Sequence, residues 1–333
     1  MKKKFLFSSV FKLIILLSIN IYSQNETIGS VERLHDDINY YISEKSKIEI
    51  LAKGFNWSEG PVWSTKLNSL LFSDVPNNII YKWNESAGLE IFLNDIGYSG
   101  IVPNLKKGGT NGLTIDTHGN LLICMHGDRR ISKIEDWNSK SIIPLITSFD
   151  NKLFNSPNDL IFNSKQELFF TDPPYGLSGD NDSLKELDFN GVYKLKPNGE
   201  IKLLIRDLSR PNGIGVSNND RLLYVANSDK NNPVIMKYEL TEDGVKNPKV
   251  FFDGIDLVNK DIGLFDGLKV HPSGVVFATG PGGVLLIRED GTHIGTIKTE
   301  LRSANCSFDE DFEYLYMTSH KYLTRIKLIP TNL

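Results

Sequence analysis

Polar residues with oxygen-bearing side chains stand at the head of six apolar runs in this sequence. The six head residues are Glu59, Asn111, Asn158, Asn212, Asp266 and Asn305. Two are carboxylates and four are amides, so the set contains neither sulfur nor imidazole nitrogen. Such oxygen ligands suit Ca²⁺ or another hard divalent cation. If the heads converge in the fold, the predicted metal ligands are Glu59, Asn158, Asn212 and Asp266.

A simple turn is the competing interpretation of each head. Asn-Gly and Asp-Gly are common turn dipeptides because both residues tolerate positive φ. The Asn-Gly pairs at 190–191 and 198–199 are predicted to be turns of this kind, since they precede third and fourth strands. The six heads differ from these two turns because the heads share one position within six similar units. Two of them are also acidic, and a buried carboxylate without a basic partner is costly unless it binds a cation.

The six heads belong to six internal repeats that recur at about 40–55 residues, a spacing typical of propeller blades. Each unit has a head, a short apolar run, a turn and a strongly apolar strand, as in "TNGLTIDTHGNLLICMHGD" and "PNGIGVSNNDRLLYVANSD". A third strand follows in every unit, and a fourth follows in five. Short strands with Gly, Asn and Asp turns indicate an all-β fold.

The two ends of the chain complement each other. The sixth unit lacks its fourth strand, whereas "KIEILAK", residues 47–53, stands unused before the first head. The sequence therefore predicts a six-bladed β-propeller over residues 46–330, closed by this N-terminal strand joining the last blade. Residues 24–45 are interpreted as an N-terminal extension, in which "SVERLHDDINYYI" could form a short helix.

Residues 1–23 have the pattern of a secretory signal peptide: basic "MKKK", an apolar run, and Ser23 at a cleavage point. The alternative is an uncleaved membrane anchor, although the apolar run is short for a span. We expect an exported protein, periplasmic or extracellular, with no stable membrane span after cleavage. The net charge of −4 gives no basic footprint for nucleic acid. Cys124 and Cys306 could pair, or could be two buried thiols.

In a propeller blade the innermost strand lines the central channel, so the heads are expected to project into one end of it. The second strand runs back to the same face. Residues at its end should therefore rim the same mouth: Asp74, His126, Asp172 with Tyr175, Asn227, Pro281 and His320.

Four stretches carry a resemblance to a known family: "SEGPVW…LLFSD", "NSPNDL…LFFTDPPYGL", "RPNGIGVS…LYVAN" and "DGLKV…VFATGPGGV". Together they resemble the senescence marker protein, gluconolactonase and luciferin-regenerating enzyme family, with most likeness to bacterial gluconolactonases, over about residues 47–328. The resemblance implies a divalent cation in the channel, with Ca²⁺, Zn²⁺ and Mn²⁺ as candidates. It places family metal ligands on Glu59, Asn212 and Asp266, and makes Asn158 a fourth ligand or a substrate contact.

The activity implied by the resemblance is hydrolysis of sugar lactones, with the cation polarising the lactone carbonyl. Asp266 is the candidate general base, or a carboxylate that attacks the lactone directly. His126 is an alternative base, and otherwise an ordinary hydrogen-bonded residue. Substrate hydroxyls are expected to contact Asn111, His126, Asp172 and Tyr175.

Two alternatives to a sugar lactonase remain open from sequence. The same channel could serve a related ester or phosphotriester hydrolase. It could also belong to a non-catalytic extracellular binding propeller in which calcium is structural, because a fold alone does not assign a function.

Overall fold

The computed structural model describes residues 26–102 and 108–330, which form six antiparallel sheets arranged as blades around a central axis. The predicted six-bladed β-propeller is confirmed. The predicted signal peptide lies outside the described residues. Within residues 26–102 and 108–330, no helix has the length and apolar character needed to cross a membrane.

The first three blades each contain four strands, numbered outward from the axis. Blade 1 consists of Ser58–Ser64, Ser69–Asp74, Ile79–Asn84 and Gly88–Asn94. Blade 2 consists of Thr110–Ile115, Leu121–Met125, Arg130–Ile134 and Ile142–Ile146. Blade 3 consists of Leu160–Phe162, Leu168–Asp172, Gly191–Leu195 and Ile201–Ile205. A small hairpin of Ser148–Phe149 and Lys152–Leu153 joins blades 2 and 3.

The last three blades are built in the same way. Blade 4 consists of Pro211–Val216, Leu222–Asn227, Val234–Leu240 and Val245–Asp253. Blade 5 contains Leu268–Val270, Val276–Gly280, Gly283–Ile287 and His293–Lys298. Blade 6 contains Asn305–Phe308, Tyr314–Ser319 and Tyr322–Lys327. The helical elements are the short helix Ile255–Val258 and the 3₁₀ turns Asp36–Tyr40, Thr65–Leu67 and Pro174–Gly176.

The N-terminal segment pairs with the last two blades. Ile48–Lys53 lies antiparallel beside Tyr322–Lys327 as the fourth strand of blade 6, and Thr27–Ile28 pairs on its outer side. Ser30–Arg33 pairs with His293–Lys298 as a fifth strand of blade 5. The region expected to be an extension therefore contributes strands to two blades.

The apolar residues of the second and third strands pack between neighbouring blades. Six buried clusters result, one at each interface of the ring. Between blades 6 and 1, for example, Phe72 packs with Leu323. Cys124 lies in the cluster between blades 2 and 3, and Cys306 in the one between blades 5 and 6. Both are buried free thiols, so the disulfide alternative is not formed.

Glycines after the heads allow the inner strands to approach one another closely. The Gly112 N–H donates to the Asn158 carbonyl at 2.8 Å, and the Gly213 N–H donates to the Asp266 carbonyl at 2.9 Å. A Cβ on Gly213 would lie 2.1 Å from that same carbonyl oxygen. The Asn-Gly pairs at these heads therefore serve inter-blade contact, whereas Asn198-Gly199 forms a turn with positive φ at the glycine.

Hydroxyl groups of the second strands bond to the heads of the next blade. Ser73 Oγ donates to the Asn111 carbonyl at 2.7 Å, and Thr171 Oγ1 donates to the Asn212 carbonyl at 2.7 Å. These buried bonds connect blade 1 to blade 2 and blade 3 to blade 4 beside the channel. They fix the backbone from which the head side chains project.

We expect Gly213→Ala to destabilise the fold by about 1–3 kcal/mol, because the new methyl group overlaps the Asp266 carbonyl oxygen. Urea unfolding followed by circular dichroism measures the change. Gly244→Ala in the same blade is the matched control, since no heavy atom lies within 4 Å of its Cβ position. Equal stability of the two variants would contradict the close-approach explanation.

Candidate active site

A cavity of about 650 Å³ occupies one end of the central channel. Five of the six predicted heads line it, and they come from five different blades: Glu59, Asn111, Asn158, Asn212 and Asp266. The sequence prediction that these side chains converge is thus met by the geometry. The volume lies within the range of small-molecule sites.

The sixth head, Asn305, lies near the axis but does not line the cavity. Its Oδ1 accepts a bond from the Cys306 N–H at 2.9 Å. Its Nδ2 lies 3.4 Å from Asp159 Oδ2, whose carboxylate is 3.9 Å from Lys269 Nζ. Asn305 therefore belongs to a polar group adjoining the cavity.

The three amide heads of the cavity form a directed chain. Asn111 Nδ2 donates to Asn158 Oδ1 at 2.9 Å, and Asn158 Nδ2 donates to Asn212 Oδ1 at 2.6 Å. Asn111 Oδ1 is left buried without a hydrogen-bond partner in the described part of the chain. This chain of hydrogen bonds holds the three amides side by side, so their oxygens can contact one ligand.

The two carboxylate heads lie within hydrogen-bonding distance of each other. Glu59 is 2% exposed, and burial raises its pKa to about 7, with the charge of Asp159 adding to the increase. Burial and the neighbouring Glu59 raise the pKa of Asp266 well above its usual range. Two adjacent carboxylates can both ionise in such a place only if a positive charge compensates them.

A hard divalent cation fits this set of side chains. Asp266 Oδ1 is buried and has no hydrogen-bond partner among residues 26–102 and 108–330. The cavity offers carboxylate and amide oxygens from the four predicted ligands Glu59, Asn158, Asn212 and Asp266. The described residues contain no cluster of three or more His, Cys, Asp or Glu able to hold a metal, so a cation here would depend on the amides.

Tyr175 and His126 line the cavity, as predicted. Tyr175 lies in the 3₁₀ turn Pro174–Gly176, which Ser156 Oγ fixes by donating to the Pro173 carbonyl and accepting from the Gly176 N–H. The Tyr175 hydroxyl bonds to Ser228 and Asn212, and burial raises its pKa to about 12. Tyr175 is therefore a neutral hydroxyl held beside a predicted metal ligand.

Comparison with known proteins assigns the chain to a family. The SMP-30/Gluconolactonase/LRE-like region matches residues 57–321. The chain belongs to this family. It is 34% identical to a gluconolactonase of Zymomonas mobilis, over 90% of this chain and 86% of that protein. It is 22% identical to human regucalcin, over 82% of this chain and 86% of regucalcin.

Solved structures give the same assignment. A gluconolactonase of Xanthomonas campestris superposes with a TM-score of 0.81 and 25% identity, over 93% of this chain and 99% of that one. A luciferin-regenerating enzyme shares the fold, with a TM-score of 0.66 and 16% identity over 84% and 94% of the two chains.

Asp172 is not at the position predicted for it, because it does not line the cavity. Its carboxylate accepts hydrogen bonds from the Asn155 N–H at 2.8 Å and the Ser156 N–H at 2.7 Å. Asp172 thus fixes the backbone segment that precedes the head residue of its own blade. Burial raises the pKa of Asp172 to about 7.

Other residues predicted for the rim also bind backbone N–H groups of their own blade instead of lining the cavity. Asp74 accepts from the N–H groups of Asn56 and Trp57, and Asn227 Oδ1 accepts from the Arg210 N–H at 2.8 Å. The cavity is instead lined by the next residue along in two blades, Val75 and Ser228. Pro281 and His320 also lie outside the lining, and His320 packs edge-on against Trp57 at 5.5 Å between ring centroids.

Sequence reasoning missed several residues of the cavity wall. Trp57 lies two residues before the Glu59 head, and Lys230 and Arg302 contribute cations at the mouth. The remaining wall comes from the connection between blades 4 and 5, namely Val258 and residues 261–264. This connection carries no repeat signal, which is why the sequence patterns did not point to it.

We expect Asp172→Asn to lower the free energy of unfolding by about 1–3 kcal/mol, because an NH₂ group would face a backbone N–H that now has an acceptor. The KM for substrate should stay unchanged. Thermal unfolding and steady-state kinetics measure the two quantities, with the exposed Asp188→Asn as control. A raised KM with unchanged stability would restore Asp172 as a substrate contact.

Proposed function

We propose that this protein is a lactonase that opens sugar lactones at the cavity, with a divalent cation held by Glu59, Asn158, Asn212 and Asp266. One observation carries the proposal: two carboxylates from blades 1 and 5 meet in a cavity that three amide heads also line. Membership of the gluconolactonase family and 34% identity to a gluconolactonase support the reaction class.

The oxygen-only donor set favours Ca²⁺, with Zn²⁺ or Mn²⁺ as alternatives. When bound, the cation would supply Lewis-acid polarisation of the lactone carbonyl. Glu59 and Asp266 contribute the two negative charges that such an ion needs. The amides Asn158 and Asn212 contribute neutral oxygens that are already held side by side.

Asp266 is proposed as the group that moves the proton. Its Oδ1 has no hydrogen-bond partner in the described part of the chain and can accept a proton from water. The water oxygen then bonds to the carbonyl carbon, the ring C–O bond breaks, and the proton passes to the departing ring oxygen. The product is a hydroxy acid, which ionises to its carboxylate. Direct attack by the Asp266 carboxylate and a base role for His126 are the alternative routes.

Substrate orientation is assigned to polar residues of the lining that are not proposed metal ligands. Asn111, His126 and Tyr175 are proposed to bind sugar hydroxyls, because all three line the cavity with polar groups. Trp57 also lines the cavity and adds an aromatic face suited to the C–H groups of a sugar ring.

Replacing either carboxylate should abolish metal-dependent turnover. We expect Glu59→Gln and Asp266→Asn each to lower kcat by roughly 10²-fold or more, since a charged ligand is lost and Asp266 is also the base. The assay strips the protein with chelator, restores single ions and follows acid release from several aldonolactones. Circular dichroism verifies the β-fold, and the exposed Glu289→Gln is the control. Full activity of both variants would refute the site.

The same assay separates the alternatives. A non-catalytic propeller with structural calcium would bind the metal, visible by calorimetry, and release no acid. A related ester or phosphotriester hydrolase would act on aryl esters or phosphotriesters and leave the lactones intact. Hydrolysis of aldonolactones in preference to both is the result that supports the proposal.

We also propose that the protein is exported, on the basis of the basic and apolar pattern of residues 1–23. Expression of the full chain in a bacterial host, followed by intact-mass measurement of the periplasmic fraction, should show a chain that begins near Gln24. Retention of residues 1–23 in a membrane fraction would indicate the uncleaved anchor instead.

A further inference from the structure

Two cationic side chains line the mouth of the cavity. Lys230 follows the second strand of blade 4, and Arg302 lies between the fourth strand of blade 5 and the inner strand of blade 6. Both residues are exposed. Neither has a hydrogen-bond or ion-pair partner in the described part of the chain. The proposed mechanism uses neither of them.

Three other cations in or beside blades 4 and 5 have acidic partners, which distinguishes them from these two. Lys269 Nζ lies 3.9 Å from Asp159, and Lys298 Nζ lies 3.4 Å from Asp261 Oδ2. Arg210 pairs with Asp180. In a chain with net charge −4, two cations without acidic partners therefore line one cavity.

The three acids of the cavity do not pair with these two cations. Glu59 and Asp266 face the proposed cation, whose two charges they balance. Asp261, the third carboxylate in the lining, lies near Lys298, and its Oδ1 accepts from the Ile262 N–H at 3.0 Å. The mouth therefore keeps two positive charges from Lys230 and Arg302, in a concave site that focuses their field.

The connection between blades 4 and 5 adds apolar side chains to the wall, namely Val258, Ile262 and Leu264. Lys230 and Arg302 are the cationic hydrogen-bond donors among the described residues of the lining. An Arg guanidinium binds a carboxylate or phosphate through two parallel hydrogen bonds, and a Lys ammonium adds a point charge. A lactone whose carbonyl lies beside Asp266 would extend its distal end toward this mouth.

We propose that Lys230 and Arg302 select sugar lactones that carry an anionic group, a phosphate or a carboxylate, at the end distal to the lactone carbonyl. This substrate class rests on the proposed lactonase function. Lys230 and Arg302 are specificity residues that contact the anionic group, whereas the ring-opening chemistry belongs to the carboxylates and amides of the cavity floor.

The test compares three lactones of one sugar series: neutral glucono-1,5-lactone, its 6-phosphate, and a glucarolactone with a distal carboxylate. We expect the wild type to have a kcat/KM at least about tenfold higher for one or both anionic lactones than for the neutral one. In Lys230→Gln and Arg302→Gln this ratio should fall about tenfold each. Comparison of the two anionic lactones shows whether a phosphate or a carboxylate is preferred. Lys249→Gln, an exposed lysine on the outer strand of blade 4, is the control.

A wild-type ratio near one that neither variant changes would overturn the inference while leaving the lactonase function intact. If no lactone is hydrolysed, the proposed function fails, and binding of 6-phosphogluconate and glucarate by calorimetry tests the cationic mouth separately. Binding that is lost in the Lys230→Gln, Arg302→Gln double variant would support anion recognition. No binding of either anion by the wild type would refute it.

Discussion

The structure depends on one steric constraint, the close approach of six inner strands around a narrow axis. Where one strand passes the carbonyl of the next head, as at Gly112 and Gly213, there is no room for a side chain. The N–H groups of these glycines bond directly to the neighbouring heads. This contact fixes the spacing of the inner strands, and the apolar clusters between blades hold that spacing over the rest of the ring.

The same constraint forces Glu59 and Asp266 together. Each carboxylate would be unremarkable on a surface, but here burial and mutual proximity disfavour their charged forms. The charge of Lys269 favours ionised Glu59, but burial is the larger effect, so keeping the pair retains a cost in stability. A bound divalent cation would relieve that cost, and this is the physical link between the propeller architecture and the proposed metal-assisted hydrolysis.

At the ends of the second strands, residues only one to three positions apart differ in whether they support the backbone or line the cavity. Asp172 turns back to hold the segment before Asn158, whereas Tyr175, three residues later, reaches the cavity. In blades 1 and 4 the switch takes a single residue, from Asp74 to Val75 and from Asn227 to Ser228. Polar character near the end of such a strand is therefore insufficient evidence of a substrate contact.

The sequence by itself determined the number of blades, the inner-strand register and the convergence of five heads, because repeated turn and strand patterns are local and each repeat positions its head in the same way. It also predicted a strand at residues 47–53, and the observed strand Ile48–Lys53 pairs with Tyr322–Lys327. The tertiary structure alone decided which polar side chains face the cavity, since this depends on bonds such as the one that the Ser156 N–H donates to Asp172 between two segments of blade 3. It likewise decided that Asn305 lies outside the cavity, and that Lys230 and Arg302 share its mouth, because neither occupies a repeat position.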